Sequence, residues 1–191
     1  MKNIIMILFA VMCLAQWIVP GKMVYDSENT ISLGTVFKFK TEPVDPSDPF
    51  RGKYVTLRFE SDFIEIEDSA EWVSGEDIFV TFTTDIAGFA KAENIFRVAP
   101  DAESFLQTTV SYIHQSESGY RIVFELPFDR FYLEESKAPR AEELYREAQR
   151  DSTTVAFALV SIGQGQAVLQ DVIVNDRPIV DIINDENAID P

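Results

Sequence analysis

A mostly β (α+β) fold, an antiparallel β-sandwich or partly open barrel with one short helix and a transmembrane helix in front, follows from three features of the sequence. An apolar run with no polar face opens the chain; two-residue alternation of apolar and polar side chains recurs through the rest; helical spacing appears once. With 191 residues, 46% of them hydrophobic, there is material for one well-buried domain. The chain divides into a membrane anchor or signal segment at 1–20, a linker at 21–34, a single exported β-rich domain at 35–183 and an acidic tail at 184–191. No internal repeat and no low-complexity segment interrupts this order.

From Ile4 to Pro20 every residue except Gln16 is apolar or small, 17 positions in all. Such a run lies at the short edge of what crosses a hydrocarbon core of roughly 30 Å, and Trp17 near its far end belongs at headgroup level. Lys2 and the terminal amine hold the start of the chain on the inner side, which exports the remainder. A cleavable signal peptide is the rival reading, but no A-x-A site of small residues follows the run, and a retained anchor is preferred. Cys13 is preceded by Met12 rather than Gly or Ala, which disfavours lipidation. No other cysteine is present, so no intrachain disulfide forms.

Beyond the linker, Phe37 and Phe39 alternate with Lys38 and Lys40 as in a half-buried strand. Pro46 and Pro49 stiffen a turn and push Asp45 and Asp48 toward extended geometry, and Gly52 supplies the freedom a tight strand entry needs. The strand that follows sets Val55, Leu57 and Phe59 on one face and Tyr54, Thr56, Arg58 and Glu60 on the other. Ile64 and Ile66, then Ile78, Val80 and Phe82, mark two more strands, and a further strand runs from Gly88 toward Pro100. Thr108–Ile113 and Tyr120–Leu126 read as a hairpin whose connection runs from His114 to Gly119. Ala141, Leu144, Tyr145 and Ala148 fall at i, i+3, i+4 and i+7 and predict a helix over about 139–150, with Pro139 suited to its first turn. Gly163-Gln164-Gly165 turns one strand, Thr153–Ile162, into another, Ala167–Val174, and Asn175-Asp176 turns the chain again toward Pro178–Ile183.

Sixteen basic against 32 acidic residues leave a formal net charge of −16. Binding to nucleic acid or anionic lipid through clustered Lys and Arg is therefore not expected. Nine acids and no base lie between Arg58 and Lys91. They read as a solvated surface, with a docking face for a basic partner as the alternative. No D-x-D-x-D-G loop gathers them around a metal ion. There is no G-x-S-x-G, no P-loop, no dinucleotide fingerprint and no paired Cys or His, so neither cofactor nor metal is expected. The single histidine, His114, has no nucleophile or second ligand beside it in sequence and reads as surface.

Gly52-Lys53-Tyr54-Val55-Thr56-Leu57-Arg58-Phe59, with Pro43-Val44-Asp45-Pro46 and Asp48-Pro49-Phe50-Arg51 before it, resembles the motif that names the GDYXXLXY family of bacterial envelope proteins. Lys53 stands where that motif has an acid, and Phe59 where it ends in tyrosine. Arg130–Glu135 and the Gly165–Val172 stretch are similar to later blocks of the same family. The resemblance implies a single-pass protein of the bacterial inner membrane with a periplasmic C-terminal domain, and it implies no established activity. Asp45, Asp48, Arg51 and Tyr54, with Arg130, Tyr132 and Glu134 brought near by folding, are the candidate binding cleft. Their competing reading is a structural clamp in which Arg51 pairs with Asp45 and Asp48.

Two functions follow from these features. The first is a membrane-tethered module, held in the inner membrane through residues 4–20, that binds an integral membrane protein or another envelope protein. The second is an exported hydrolase: Arg51-Gly-Lys-Tyr-Val and Gly88-Phe-Ala-Lys91 resemble segments near the catalytic lysine of type I signal peptidases. No Ser-Met-x-Pro-like stretch follows the anchor; Ser32-Leu33-Gly34 comes nearest to one and would supply the nucleophile beside Lys91.

Overall fold

The computed structural model describes residues 2–42, 54–67, 72–116, 119–150 and 154–189. The chain begins with helix α1, Lys2–Leu33, whose 32 residues extend about 48 Å at 1.5 Å per residue. Its apolar side chains, among them Ile4, Phe9, Leu14, Trp17 and Val19, face outward on all sides. From Asn3 it is long and apolar enough to cross a membrane. Pro20 lies inside it without ending it. The stretch expected as a linker, 21–34, is instead helical as far as Leu33, and a single glycine separates it from the first strand.

That glycine has no room for a side chain. A Cβ on Gly34 would stand 2.4 Å from the Thr30 carbonyl oxygen and 2.9 Å from that of Ile162. The Gly34 N–H donates to the Thr30 carbonyl at 2.9 Å, and the buried Thr30 hydroxyl donates to the Asp26 carbonyl at 2.9 Å. The first bond satisfies one of the last four carbonyls of the helix, which otherwise lack partners, and the second ties the Thr30 side chain back onto the preceding turn.

Two antiparallel sheets follow. The first joins β1 (Thr35–Lys40), β9 (Ala156–Gly163), β10 (Gln166–Val174) and β11 (Arg177–Pro178) in the order β1-β9-β10-β11. The second joins β3 (Phe63–Ile66), β7 (Gly119–Phe124), β6 (Leu106–Ser116), β4 (Asp77–Thr84) and β5 (Ala90–Phe96) in the order β3-β7-β6-β4-β5. A short ribbon of β2 (Tyr54–Thr56) and β8 (Arg130–Tyr132) completes the β structure, and no barrel closes among the described residues. The sheets meet across an aromatic core. Phe39, fully buried, lies 5.2 Å from Phe82 of the second sheet, 4.9 Å from Phe128 and 5.8 Å from Phe59. Phe82 in turn stands 6.1 Å from Phe37 and 6.3 Å from Phe124, spacings at which tilted rings attract through their quadrupoles.

Residues 54–62 join all three parts. Beyond β2, the Leu57 N–H donates to Asp129 at 2.8 Å and prolongs the ribbon. Glu42 N–H then donates to Arg58, Glu60 N–H donates to Lys40, and Thr41 bridges Phe59, which ties the same strand to the end of β1. Asp62 finally accepts from Phe124 N–H at 2.9 Å in the second sheet. Val55, Leu57 and Phe59 are all buried, as the alternation predicts.

Helix α2, Ala138–Arg150, buries Ala141, Tyr145 and Ala148 and half-buries Leu144, so the predicted stripe is the packed face. Two further expectations change. His114 lies within β6 opposite Arg121 rather than in a loop, because the hairpin strands run on to Ser116 and resume at Gly119. Gly119 lets β7 lie close to the end of β3: a Cβ there would stand 2.3 Å from the Ile66 carbonyl oxygen. A helix absent from the sequence reading, α3 (Ile179–Ile189), takes up residues expected partly as an acidic tail and buries Ile179 and Ile183, one helical turn apart. The stiff turn of Pro46, Pro49 and Gly52 lies outside the described residues.

Because the Phe39 ring fills the space between the sheets, Phe39→Ala is expected to destabilise the protein by about 3–5 kcal/mol. Val36→Ala, on the exposed side of the same strand, is expected to change stability by no more than about 0.5 kcal/mol. Urea unfolding of the full chain in detergent micelles measures both.

Candidate functional site

The β2–β8 ribbon pairs Tyr54 with Tyr132, Val55 with Phe131 and Thr56 with Arg130. Val55 and Phe131 turn inward and are buried, which by strand alternation turns the two tyrosines, Thr56 and Arg130 to the opposite face. The tyrosine rings stand 5.4 Å apart, inclined by 56°. The Arg130 guanidinium lies over the Tyr54 ring at 5.2 Å, within cation–π range. A hydrogen bond to Tyr132, then the Asp129 carboxylate 3.8 Å away, stabilise its charge and raise its pKa. Tyr132 keeps 65% of its surface exposed. The result is a fixed cation framed by two aromatic rings on an accessible face, suited to an anionic or hydrogen-bonding group of a partner.

Of the residues singled out in the sequence, Tyr54, Arg130 and Tyr132 thus come together. Glu134 does not join them among the described contacts. Its carbonyl accepts the Lys137 and Ala138 N–H groups ahead of α2, and its exposed carboxylate lies 3.7 Å from Lys137. Asp45, Asp48 and Arg51 lie outside the described residues, and so does the proposed clamp. The second half of the motif is packing: Leu57 and Phe59 are buried side chains of the core. Phe59 serves there as a ring 5.2 Å from Phe128.

The acidic stretch is partly neutralised by bases from elsewhere in the chain. Glu60 pairs with Lys40 at 2.7 Å and Glu65 with Arg121 at 2.8 Å, while Glu76 is bound by Arg97, whose guanidinium also covers the Trp72 ring. The Arg97 hydrogen bond lowers the Glu76 pKa. Burial raises that of Asp62, and burial followed by the charges of Asp62 and Glu60 raises that of Glu42. Among the described residues no three His, Cys, Asp or Glu side chains gather closely enough to hold a metal ion. His114 stacks on Tyr112 on an exposed strand face. The hydrolase reading finds no support in the geometry. Lys91 is exposed on β5 and Ser32 is exposed in the last turn of α1, so neither has the water-excluding surroundings that activate a Ser/Lys pair. A cleft between α1 and the β9–β10 turn escaped the sequence reading altogether, since its polar lining comes from three separated segments.

The structure is a β-rich domain with an outward aromatic–cation face, preceded without a break by one apolar helix of membrane-crossing length. The chain belongs to the GDYXXLXY protein family, whose model matches residues 16–172. The match begins inside α1 and ends in β10, so the C-terminal half of the helix is part of the family unit. No similar curated protein and no similar solved structure was found. Family and helix together fit a membrane-anchored envelope protein.

Half-buried Asp171 at the β10 bulge has a raised pKa, through burial first and the charge of Asp181 second, against the Val172 N–H that its carboxylate accepts. A raised folded-state pKa means that the native protein binds this proton more tightly than the unfolded chain. The ionised carboxylate therefore costs stability at neutral pH, and that cost is relieved as pH falls through the folded-state pKa. Asp171→Asn is expected to raise Tm at pH 7, with the gain over wild type shrinking as pH falls toward about 4, where the unfolded aspartate also takes up its proton. Thermal unfolding across that range measures it.

Proposed function

We propose that the protein is a single-pass anchor module of the bacterial inner membrane, whose periplasmic β domain binds an integral membrane or other envelope protein through the Tyr54–Arg130–Tyr132 face. The observation that carries this reading is the exposure of that group. In a ribbon whose other face supplies core residues, Tyr132 and Arg130 stand exposed over a half-buried Tyr54, where the core does not require them. Aromatic residues and arginine are the types enriched at the energetic centres of protein interfaces. The outward apolar surface of α1 supports the tether, Lys2 before it supports an inward N-terminus, and the strongly acidic remainder suits a soluble exported domain.

Mild-detergent extraction of the tagged full chain, followed by identification of stoichiometric partners, tests the reading. The expected result is one membrane or envelope protein that is recovered with wild type and lost with Arg130→Gln and Tyr132→Ser, with thermal unfolding unchanged. A monodisperse chain with no stoichiometric partner would overturn it, as would the same partner recovered equally with both variants.

A further inference from the structure

The cation of the β2–β8 ribbon lacks the kind of partner that other arginines of the domain have. Arg121 holds Glu65 at 2.8 Å, Arg140 holds Glu143 at 2.8 Å and Arg146 holds Glu142 at 3.0 Å, while Arg97 and Arg177 are bound by Glu76 and Asp185. All five lie within hydrogen-bond reach. Among the described residues, the carboxylate beside Arg130 is that of Asp129, which stands 3.8 Å from Nε and so beyond that reach. One hydrogen bond goes to Tyr132, and the guanidinium lies over the Tyr54 ring. A guanidinium has several N–H donors in a planar fork shaped for a carboxylate, and half of this side chain is open to solvent. In a protein with two acids for every base, Arg130 is thus left with donors to spare.

Spacing along the ribbon tells what else the occupant carries. Arg130 and Tyr132 stand two residues apart on the outward side of β8, about 6.7 Å along a strand. An extended segment lying along β8 repeats its own side chains at the same interval, so a carboxylate on Arg130 sets the side chain two positions away against the Tyr54–Tyr132 pair. Those rings, 5.4 Å apart and inclined by 56°, leave no space between them for a third aromatic ring and make a shallow notch. Proline suits it. Its ring is compact, it docks on aromatic-lined surfaces, and it holds its own segment extended before binding. Charge limits the number of acids. Farther along β2, Arg58 is engaged by its own chain: burial raises the pKa values of Glu42 and Asp62, and the charge of Arg58 offsets part of that rise. The open cation is therefore Arg130 alone, and a domain of net charge −16 repels a run of acids. One carboxylate fits.

We propose that this face binds an extended partner segment of the pattern acidic-x-proline, with its carboxylate on the Arg130 guanidinium and its proline ring against Tyr54 and Tyr132. The inference names the chemistry of the partner in the function proposed above and rests on that reading. The probes are a fluorescent peptide, Gly-Ser-Glu-Ser-Pro-Ser-Gly, a second with Gln in place of Glu, and a third with Ala in place of Pro. Each is titrated with the full chain in zwitterionic micelles and followed by fluorescence anisotropy. The Glu peptide is expected to bind about tenfold more tightly than the Gln peptide, the margin of a charge-assisted hydrogen bond. Arg130→Gln is expected to erase that margin and to keep the preference for proline over alanine. Tyr132→Ser is expected to do the reverse, whereas a variant that had lost its fold would lose both preferences. Equal binding of the Glu and Gln peptides by wild type would overturn the carboxylate, and equal binding of the Pro and Ala peptides would overturn the proline. Displacement by inorganic phosphate as effective as that by unlabelled Glu peptide would overturn the peptide source. Tighter binding to the Asp45→Asn/Asp48→Asn chain would assign Arg130 to acids of the protein itself and overturn the partner assignment. A co-purified partner that the Glu peptide fails to displace would overturn this chemistry alone; peptide binding as expected with no stoichiometric partner recovered would overturn the function proposed above and leave the chemistry standing.

Discussion

One strand has to satisfy three neighbours. Residues 54–62 give their backbone hydrogen bonds first to β8 and Asp129, then to the end of β1, then to β7, and on the way they deliver Val55, Leu57 and Phe59 to the interior. Buried backbone groups without partners are costly, so each change of neighbour is determined by where the chain goes next. The Phe39 ring, in contact with Phe59, Phe82 and Phe128, sits where these obligations meet. The two sheets, the ribbon and the family motif are therefore consequences of a single stitch. The motif's apolar positions keep it closed, and its first tyrosine is left for the outside.

Strands and α2 were legible because their periodicity follows from one-sided burial: Phe37 and Phe39, Ile78 and Val80, and Ala141 and Tyr145 all face the core as their spacing requires. The parts that were misread have physical reasons. Ile179-Val180-Asp181-Ile182-Ile183 is rich in β-branched residues, yet the Asn175-Asp176 turn and β11 lead it into a helix that packs on β10 and α2. Packing there outweighs propensity. Residues 21–33 are polar enough to read as a linker, but they continue a helix already nucleated by the apolar run and are held at its end by Thr30 and Gly34.

The candidate face was partly legible for the same reason as the strands. Tyr54 had to point away from Val55 and Leu57, and the Arg130–Glu135 block carried the complementary alternation, so convergence of Tyr54, Arg130 and Tyr132 needed only the pairing of two short strands. Glu134 was grouped with them by proximity in sequence, whereas in the structure it belongs to the entry into α2. The acidic run was misleading for a related reason. Charge counted along the chain takes no account of Lys40, Arg97 and Arg121, which folding brings beside Glu60, Glu76 and Glu65. The helix–turn cleft left no trace in any local pattern, since Lys22, Glu103 and Gln166 meet only through tertiary packing.

The wedged glycine between Leu33 and Thr35 leaves no swivel between the anchor and the sheet. A domain on a loose tether sweeps a hemisphere and meets partners in any pose. With α1 set directly against β9, a bilayer that held this helix would hold the domain at a set altitude, and the compass bearing of its tyrosine face would follow the rotation of the helix. Turning the helix in the bilayer would turn that face with it, so torque is a quantity that this architecture transmits.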